Sequence, residues 1–241
     1  MTFAASFTVD LEPDCPPFLT GFRGVERGLP RLLDVLDRRR VRATFFTTGE
    51  VARKYPKAIE DLVARGHELA CHGMTHTAFT EIDRSAAKRE IEGSAAILRE
   101  FTSVTSFRAP YLKFPEEYVP LLVDANFELD SSIAKYKRRP RPSPRPSPDA
   151  QAQAHQIRRV PASLTSSALR IPKLLRETYL RLLSEPVVLF VHPWEFVDLR
   201  KERIRYDCRF RTGDTALACI DDVLGFMISR GAQFTTMRNL A

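Results

Sequence analysis

The sequence predicts an α/β fold in which helices cover a sheet of parallel strands. Strand-like apolar runs at 2–9 and 42–48 are each followed by a stretch of helical periodicity, at 24–40 and 50–65. Such repeated alternation is typical of parallel sheets, because the chain must cross back along the sheet before it enters the next parallel strand. The 241 residues are 44% hydrophobic, which is enough to bury a substantial core. We therefore expect a single domain over residues 1–241.

The same two patterns continue to the end of the chain. Further strands are predicted at 68–71, 106–108, 127–132, 157–162, 187–191 and 232–236, and further helices at 84–101, up to 125, at 172–184 and at 214–230. Gly66 is expected to end the helix at 50–65, and a charged, irregular segment is expected at 198–211. In the helix at 172–184, the leucine spacing predicts a core-facing side made of Leu174, Leu175, Leu180 and Leu183.

One segment, at about 135–159, departs from both patterns. It is rich in proline and arginine, and it holds much of the excess behind the net charge of +7 and the pI of about 9.4. Proline blocks helix and sheet hydrogen bonds and like charges repel, so we expect an extended, solvated insertion loop. The alternatives are a positively charged loop that attracts an anionic substrate and a surface that binds nucleic acid. The segment lacks the interleaved aromatic residues of a stacking surface, so we predict no nucleic-acid partner and assign His155 no function.

Cysteine usage and hydropathy predict a cytoplasmic protein. Cys15, Cys71, Cys208 and Cys219 lack the paired spacing of a zinc ribbon or a redox dithiol, so we expect reduced thiols. The sequence contains no run of about 18 apolar residues, so no transmembrane helix is expected. The chain also passes from Met1 directly into a strand-like run, without the basic head or cleavage site of an export signal.

Polar side chains follow five of the predicted strands. In chain order these clusters are Asp10 to Asp14, His72 with His76, Arg108 to Tyr111, Asp130, and His192. The end of a strand is the usual position for a reactive loop on a parallel sheet or barrel. The alternatives are ordinary ones: a solvated turn for the acidic cluster, a cap for Asp130 and a satisfied core residue for His192.

The histidine pair indicates a metal site. His72 and His76 are four residues apart, and Gly73 can turn the chain between them so that both imidazoles face one ion. Imidazole suits zinc, cobalt, nickel and iron, and a catalytic site of this kind takes two histidines and one carboxylate and leaves a position open for water. Ordinary surface or core positions are the alternative. Arg108 beside Pro110 is a candidate for holding a carboxylate, because its planar guanidinium can bind both carboxylate oxygens.

Four short motifs make the chain similar to a known family. They are Ala43-Thr-Phe-Phe46, Gly66-His-Glu68 running into His72-Gly-Met-Thr-His76, Phe107-Arg-Ala-Pro-Tyr111, and Val191-His-Pro193. With the order of the polar clusters, they resemble the polysaccharide deacetylase family, also called the NodB-homology or carbohydrate esterase family 4 group. The resemblance extends from Phe3 to Leu240, apart from the proline-rich insertion. It implies a NodB-like, distorted (β/α) barrel of about seven parallel strands.

The resemblance also implies an activity and a set of roles. It implies hydrolysis of an N-acyl group, typically the acetyl group of an amino sugar or glycan, by attack of metal-bound water. One divalent metal ion is implied, with zinc as the default and cobalt, nickel and iron as alternatives. On this pattern His72, His76 and Glu12 are the metal ligands. Asp10 is the base that takes a proton from the water, and His192 is the acid that protonates the departing amine.

Three further residues would support the acid and the base. The resemblance implies that Arg108 holds Asp10 in place. It also implies that Asp130 orients and charges His192, and that the backbone N–H of Tyr111 helps to hold the oxyanion. The implied partner is an N-acetylated sugar or glycan, with anionic and lipid-linked forms both open.

The acidic cluster departs from the commonest family pattern, in which two adjacent aspartates serve as base and ligand. Here Leu11 separates Asp10 from Glu12. A subset of the family spaces the two acids by one residue, and Glu12 is assigned as the third ligand on that pattern, with Asp14 as the fallback. Relatives that cleave cyclic amides without a metal are the alternative enzymes. A degenerate barrel that binds glycan without reacting is the alternative from another class.

Overall fold

The structure is a computed structural model that describes residues 2–136 and 156–240. The described residues form two compact units, one drawn from Met1–Thr44 and Ser163–Ala241 and the other from Phe45–Ala162. Most of the predicted insertion at 135–159, including His155, lies outside the described residues. The extended loop and the single domain therefore stay predictions.

Strands and helices alternate along the chain in the predicted order. The strands are β1 (Phe3–Leu11), β2 (Thr44–Thr47), β3 (Glu68–Cys71), β4 (Ser106–Phe107), β5 (Leu129–Asp130), β6 (Arg158–Arg159), β7 (Val187–Val191) and β8 (Ala232–Phe234). The α-helices are α1 (Leu29–Arg39), α2 (Gly49–Lys54), α3 (Pro56–Ala64), α4 (Arg84–Arg99), α5 (Val119–Asp124), α6 (Lys173–Arg181), α7 (Tyr206–Arg209) and α8 (Asp214–Ser229). A π-helical turn lies at Gly24–Gly28, and 3-10 turns lie at Phe79–Glu81, Pro110–Leu112, Glu116–Tyr118, Ser166–Arg170, Pro193–Phe196 and Met237–Asn239. Among these helices, none has both the length and the apolar composition needed to cross a membrane.

The first unit is built around β1, whose last seven residues are all buried. β7 pairs in parallel with the middle of β1, and β8 pairs in parallel with its first residues. β7 consists of five apolar residues and is buried along its whole length. Because Val9 of β1 is paired with Val191 of β7, the next residues, Asp10 near the end of β1 and His192 directly after β7, lie side by side.

In the second unit the strands follow the order β6-β5-β4-β3-β2. β3 pairs in parallel with β4, β4 with β5, and β5 with β6. Cys71 at the end of β3 is paired with Phe107 at the end of β4, so His72 and Arg108 leave neighbouring strands together. Phe107 is also paired with Asp130, which brings the end of β5 to the same edge.

The helix predicted at 50–65 is divided into two. α2 ends at Lys54 and α3 begins at Pro56, and Tyr55 between them has a φ of −129° and a ψ of 55°, outside the helical region. Proline has no N–H to donate, and its ring disfavours helical angles at the preceding residue. Pro56 is instead accommodated as the first residue of a new helix. Gly66 follows with a φ of +77°, where the sequence predicts that the helix ends.

The orientation predicted for the helix at 172–184 is wrong for two of its leucines. In α6, Leu180 is buried, but Leu174 and Leu175 are 79% and 56% exposed. Arg176 takes a place on the inward face, where it donates to a backbone carbonyl and to the carboxylate of Asp222. A buried arginine with these partners is satisfied, so the periodicity of the apolar residues alone did not identify the inward side.

Candidate active site

The first unit brings Asp10, Glu12 and His192 together. His192 Nε2 lies 3.9 Å from Asp10 Oδ2 and 3.9 Å from Glu12 Oε1. Both carboxylates are almost completely buried, whereas the imidazole is 15% exposed. Trp194 stacks on the imidazole with ring centroids 4.7 Å apart, and it donates its indole N–H to Glu12 Oε1 at 3.1 Å. The predicted acid, the predicted base and one predicted ligand therefore share one site in this unit.

A carboxylate without a predicted role holds His192. Glu195 Oε1 lies 2.8 Å from His192 Nδ1 and accepts the backbone N–H of His192 at 3.0 Å. Its other oxygen forms an ion pair with Arg170 Nε at 3.0 Å, and both side chains are buried. Burial by itself lowers the pKa of His192, but the charges of Glu12, Glu195 and Asp10 outweigh it and raise the pKa to about 9. Burial alone raises the pKa of Glu195, but Arg170 and His192 lower it overall.

Two glycines allow the segment after β7 to approach the start of α1. A Cβ added at Gly24 would lie 2.5 Å from the backbone nitrogen of Trp194, and one at Gly28 would overlap the carbonyl oxygen of Pro193. Side chains are excluded at both positions because backbone, which cannot move aside easily, occupies the space. The close approach fixes the turn that carries His192 and Trp194.

Asp14, the fallback ligand, has a structural role in the same unit. Its side chain is fully buried, and its two oxygens accept the backbone N–H of Arg23 at 3.0 Å and of Gly24 at 2.8 Å. Arg23 Nε adds an ion pair at 3.4 Å. These contacts use both carboxylate oxygens of Asp14 to anchor the turn at Gly24–Gly28. Glu12 is therefore the better candidate for the third ligand.

In the second unit, His72 and His76 lie against each other. Both are buried, and their ring centroids are 5.2 Å apart. His72 Nδ1 lies 2.8 Å from the carbonyl oxygen of Arg108. A carbonyl oxygen only accepts, so Nδ1 carries the proton and the lone pair of the neutral ring is on Nε2, the form in which imidazole binds a metal. The ring of Tyr111 packs edge-on against His76 at 4.7 Å.

The loop between the two histidines is held by a glutamate of α4. Glu90 Oε2 accepts the backbone N–H groups of Met74 and Thr75 at 2.8 and 3.0 Å, and Oε1 accepts the hydroxyl of Thr75 at 2.8 Å. Gly73 has a φ of +76° and His76 a φ of +59°. The turn predicted at Gly73 is confirmed, and the left-handed His76 is a strained conformation that the surrounding contacts maintain.

Arg108 and Asp130 are fully buried in the second unit. The guanidinium of Arg108 lies 4.1 Å from the ring centroid of Phe46, and Nη2 donates to the hydroxyl of Ser131 at 3.0 Å. Asp130 accepts the backbone N–H of Ser132 at 2.9 Å and also the hydroxyl of that residue.

Asp130 also forms an ion pair with Arg159 Nε at 2.7 Å. Burial raises the pKa of Asp130, although Arg159 and Ser132 oppose the rise. The contacts of Asp130 are therefore those of a buried structural carboxylate.

The role implied for Asp130 toward His192 stays a prediction. Within the first unit Glu195 contacts the His192 ring, and within the second unit Asp130 contacts Ser132 and Arg159. The sequence signal for Glu195 is its place three residues after His192 at the start of a 3-10 turn, where a side chain can reach back to the first backbone N–H.

A family model for polysaccharide deacetylases matches residues 6–129, which is more than half of the chain. The chain belongs to the polysaccharide deacetylase family. The matched region includes the acidic cluster, the histidine pair and the Arg108 motif, and the resemblance predicted from these residues is confirmed.

Individual relatives agree with the family. A chitooligosaccharide deacetylase of Sinorhizobium fredii is 42% identical over 85 residues, which are 34% of this chain and 40% of that protein. A peptidoglycan-N-acetylglucosamine deacetylase of Bacillus cereus is 27% identical over 100 residues, or 41% of this chain and 36% of that protein. The chain thus spans less than half the length of these curated relatives.

A solved structure confirms the predicted fold class. The crystal structure of a putative polysaccharide deacetylase from Mycobacterium smegmatis superposes with a TM-score of 0.68 at 19% identity, over 98% of this chain and 88% of that one. The fold is the distorted (β/α) barrel with parallel strands that the family resemblance predicts.

Proposed function

We propose that this protein is a hydrolase that removes the acetyl group from an N-acetylated amino sugar of a glycan. The observation that carries the proposal is the pairing of an acid with a base: His192 Nε2 and Asp10 Oδ2 are 3.9 Å apart in one site. Hydrolysis of an amide needs both a base for the attacking water and an acid for the departing nitrogen. Family membership and relatives named as chitooligosaccharide and peptidoglycan deacetylases support this substrate class.

We further propose that His72, His76 and Glu12 hold a divalent metal ion, with zinc as the expected ion. The donor set fits, since two imidazoles and one carboxylate are typical of catalytic zinc sites, and all three side chains are buried. The Arg108 carbonyl keeps His72 in the tautomer that binds through Nε2, and Trp194 orients Glu12. A bound ion would polarise the amide carbonyl and lower the pKa of a water molecule at the site.

Asp10 is proposed as the base. It is buried beside His192, and it belongs to the buried end of β1, which limits its movement. Arg108, which follows β4 in the second unit, is proposed to hold Asp10 and to keep it available for the proton of the water. The fully buried guanidinium of Arg108 supports this role, because a buried arginine is normally matched by an anion.

His192 is proposed as the acid that protonates the departing amine. Its Nδ1 proton is directed to Glu195, so Nε2 is the nitrogen that can deliver a proton to the substrate. The raised pKa keeps the imidazole protonated near neutral pH, as an acid requires. Tyr111, in a left-handed conformation with a φ of +60°, is proposed to offer its backbone N–H to the oxyanion.

The proposal is tested by measuring acetate released from oligomers of N-acetylglucosamine. We expect activity that is lost with a chelator and restored by zinc, and no activity in Asp10→Asn, which should still bind zinc. Asp198→Asn removes an exposed carboxylate of the same unit and serves as the matched control, with activity unchanged.

Two other outcomes would replace the proposal. Full activity on cyclic amides after removal of all metal would assign the protein to the metal-independent branch. Tight glycan binding with no hydrolysis of any acetylated sugar would make it a binding module. A cytoplasmic location stays a prediction.

A further inference from the structure

We infer that Glu195, held by Arg170, is the positioning residue of His192. The resemblance assigns this role to Asp130. The catalytic meaning of this inference rests on the proposed function, but the contact itself does not. The inference extends the site by two residues, neither of which the sequence motifs identify. It also predicts which substitutions disturb the acid and which leave it in place.

The first argument is the geometry around the imidazole. Glu195 Oε1 lies 3.0 Å from the backbone nitrogen and 2.8 Å from Nδ1 of His192, so one oxygen fixes both the main chain and the ring. A carboxylate is an acceptor only, and Nδ1 must therefore carry the proton. Nε2 is then directed to the side of the ring where Asp10 and Glu12 lie, each at 3.9 Å.

The second argument is that Glu195 is itself fixed by Arg170. Arg170 Nε pairs with Glu195 Oε2 at 3.0 Å, and its terminal nitrogens donate to the carbonyls of Asp207, Cys208 and Phe210. Both side chains are 1% exposed, so the pair is protected from solvent and has little freedom to move. A buried anion with a buried cation on one side and two N–H groups on the other is held in one orientation.

The third argument is the set of groups around the Glu195 side chain. Arg170 forms an ion pair on one side, the backbone N–H and Nδ1–H of His192 donate on the other, and the hydroxyl of Ser166 also hydrogen-bonds to the carboxylate. An amide has one acceptor oxygen and one NH2 group, so glutamine would set a donor against a donor on one side. Glutamine also has no charge to pair with Arg170, so we expect it to weaken the contact with Arg170 or to turn the imidazole.

Asp130 has its own partners within the second unit. Its oxygens are engaged by the backbone and hydroxyl of Ser132 and by Arg159 of the adjacent strand. Asp130 is paired in register with Arg159, so the ion pair is a cross-strand contact that β5 and β6 provide by themselves. Substituting Asp130 should change the stability of the second unit and leave the hydrogen bond of the His192 ring intact.

The test compares Glu195→Gln and Asp130→Asn in metal-free protein labelled with 15N-histidine. In the unsubstituted protein, we expect a downfield, slowly exchanging imidazole N–H signal that disappears in His192→Asn. We expect Glu195→Gln to abolish or shift this signal and Asp130→Asn to retain it. An unsubstituted protein without the signal, or a signal that Asp130→Asn removes and Glu195→Gln retains, would overturn the inference.

Kinetics give a second readout that general damage to the fold would not reproduce. We expect Glu195→Gln to lower kcat by about 100-fold or more, with KM changed only slightly, as when a histidine loses its orienting carboxylate. Glu195→Asp retains the charge and is expected to recover part of kcat. It also replaces Glu195→Gln in the spectroscopic comparison if the glutamine variant does not fold. Equal kcat in Glu195→Gln and unsubstituted protein would contradict the inference.

The two readouts separate this inference from the proposed function. If no acetylated sugar is hydrolysed but the imidazole signal depends on Glu195 and not on Asp130, the positioning role stands and only the proposed activity fails. If deacetylation is observed but the signal and kcat are insensitive to Glu195, the activity stands and the positioning role fails.

Discussion

Asp14→Asn separates the two carboxylates that compete for the third ligand position. The two oxygens of Asp14 accept the backbone N–H of Arg23 and of Gly24 at 3.0 and 2.8 Å, in a fully buried position. Asparagine has the same shape but only one acceptor oxygen, so one of these N–H groups would face another donor. We therefore expect Asp14→Asn to lower the free energy of unfolding and to leave metal binding unchanged.

The size of the effect follows from these contacts. A hydrogen bond to a charged acceptor contributes about 1.5–3 kcal/mol, and a buried donor left without an acceptor costs about 1–3 kcal/mol. Losing one such bond and weakening the other gives an expected loss of about 2–4 kcal/mol. The ion pair with Arg23 adds little, because the side chain of Arg23 is 35% exposed. For a chain of this length the melting temperature should fall by roughly 5–15 °C.

Glu12→Gln is the matched comparison. Its side-chain oxygen can still accept the indole N–H of Trp194, so the stability of the metal-free protein should fall less than in Asp14→Asn. Its zinc affinity should fall at least about tenfold, because a charged ligand is lost. Urea unfolding of metal-free protein and zinc titration against a competing chelator measure the two effects. A tenfold loss of zinc affinity in Asp14→Asn, with its unfolding midpoint unchanged, would refute the assignment and make Asp14 the ligand.

Three further predictions concern packing and charge. Leu180→Ala should lower the free energy of unfolding in urea by about 2–5 kcal/mol because Leu180 is buried. Leu175→Ala should lower it by less than about 1 kcal/mol because Leu175 is 56% exposed. Equal losses would contradict the orientation of α6. Gly28→Ala should destabilise by more than about 2 kcal/mol because its methyl group would overlap a backbone carbonyl, whereas Gly93→Ala, with no atom within 4 Å of the added Cβ, should be neutral or stabilising. In metal-free protein the pKa of His192 is raised from an ordinary 6.5 to about 9. Below pH 6.5 this shift should add about 3 kcal/mol to the free energy of unfolding relative to His192→Gln, and the difference should disappear as the pH rises through 9. A difference between these two proteins that grows with pH would contradict the sign.

The fold was predictable from sequence where a continuous run of apolar residues forms a buried strand. β3 has the predicted bounds at Glu68–Cys71, and β7 those predicted for an apolar run of five residues. Within each unit, parallel pairing brings polar residues at the ends of neighbouring strands together, Asp10 with His192 in the first and His72 with Arg108 in the second. The break at Pro56 was not predicted, although proline at that position cannot continue the preceding helix.

The sequence did not show which buried polar groups contact each other at a distance along the chain. Arg176 replaces leucine on the inward face of α6 only because Asp222 of α8 is there to receive it. Asp14 was assigned only as the fallback ligand, and its contact with the backbone N–H of Gly24, ten residues later, was not predicted. Neither partnership leaves a periodic signal, because each depends on the tertiary position of a single residue. The periodicity of a sequence shows the spacing of its apolar residues. It contains no information about which polar side chains will contact each other in the fold.

Glu195 is close in sequence to His192, the histidine that we infer it to position. His192 and Glu195 belong to one 3-10 turn, so their contact needs only the local backbone and the anchoring of Arg170. Asp130 depends instead on the register of β5, in which it lies opposite Arg159 and pairs with it. Arg159 is 20% exposed and also pairs with Glu116, so two carboxylates share its charge. The contacts of Glu195 with His192 and Arg170 lie within the first unit, so they form without any contribution from Asp130.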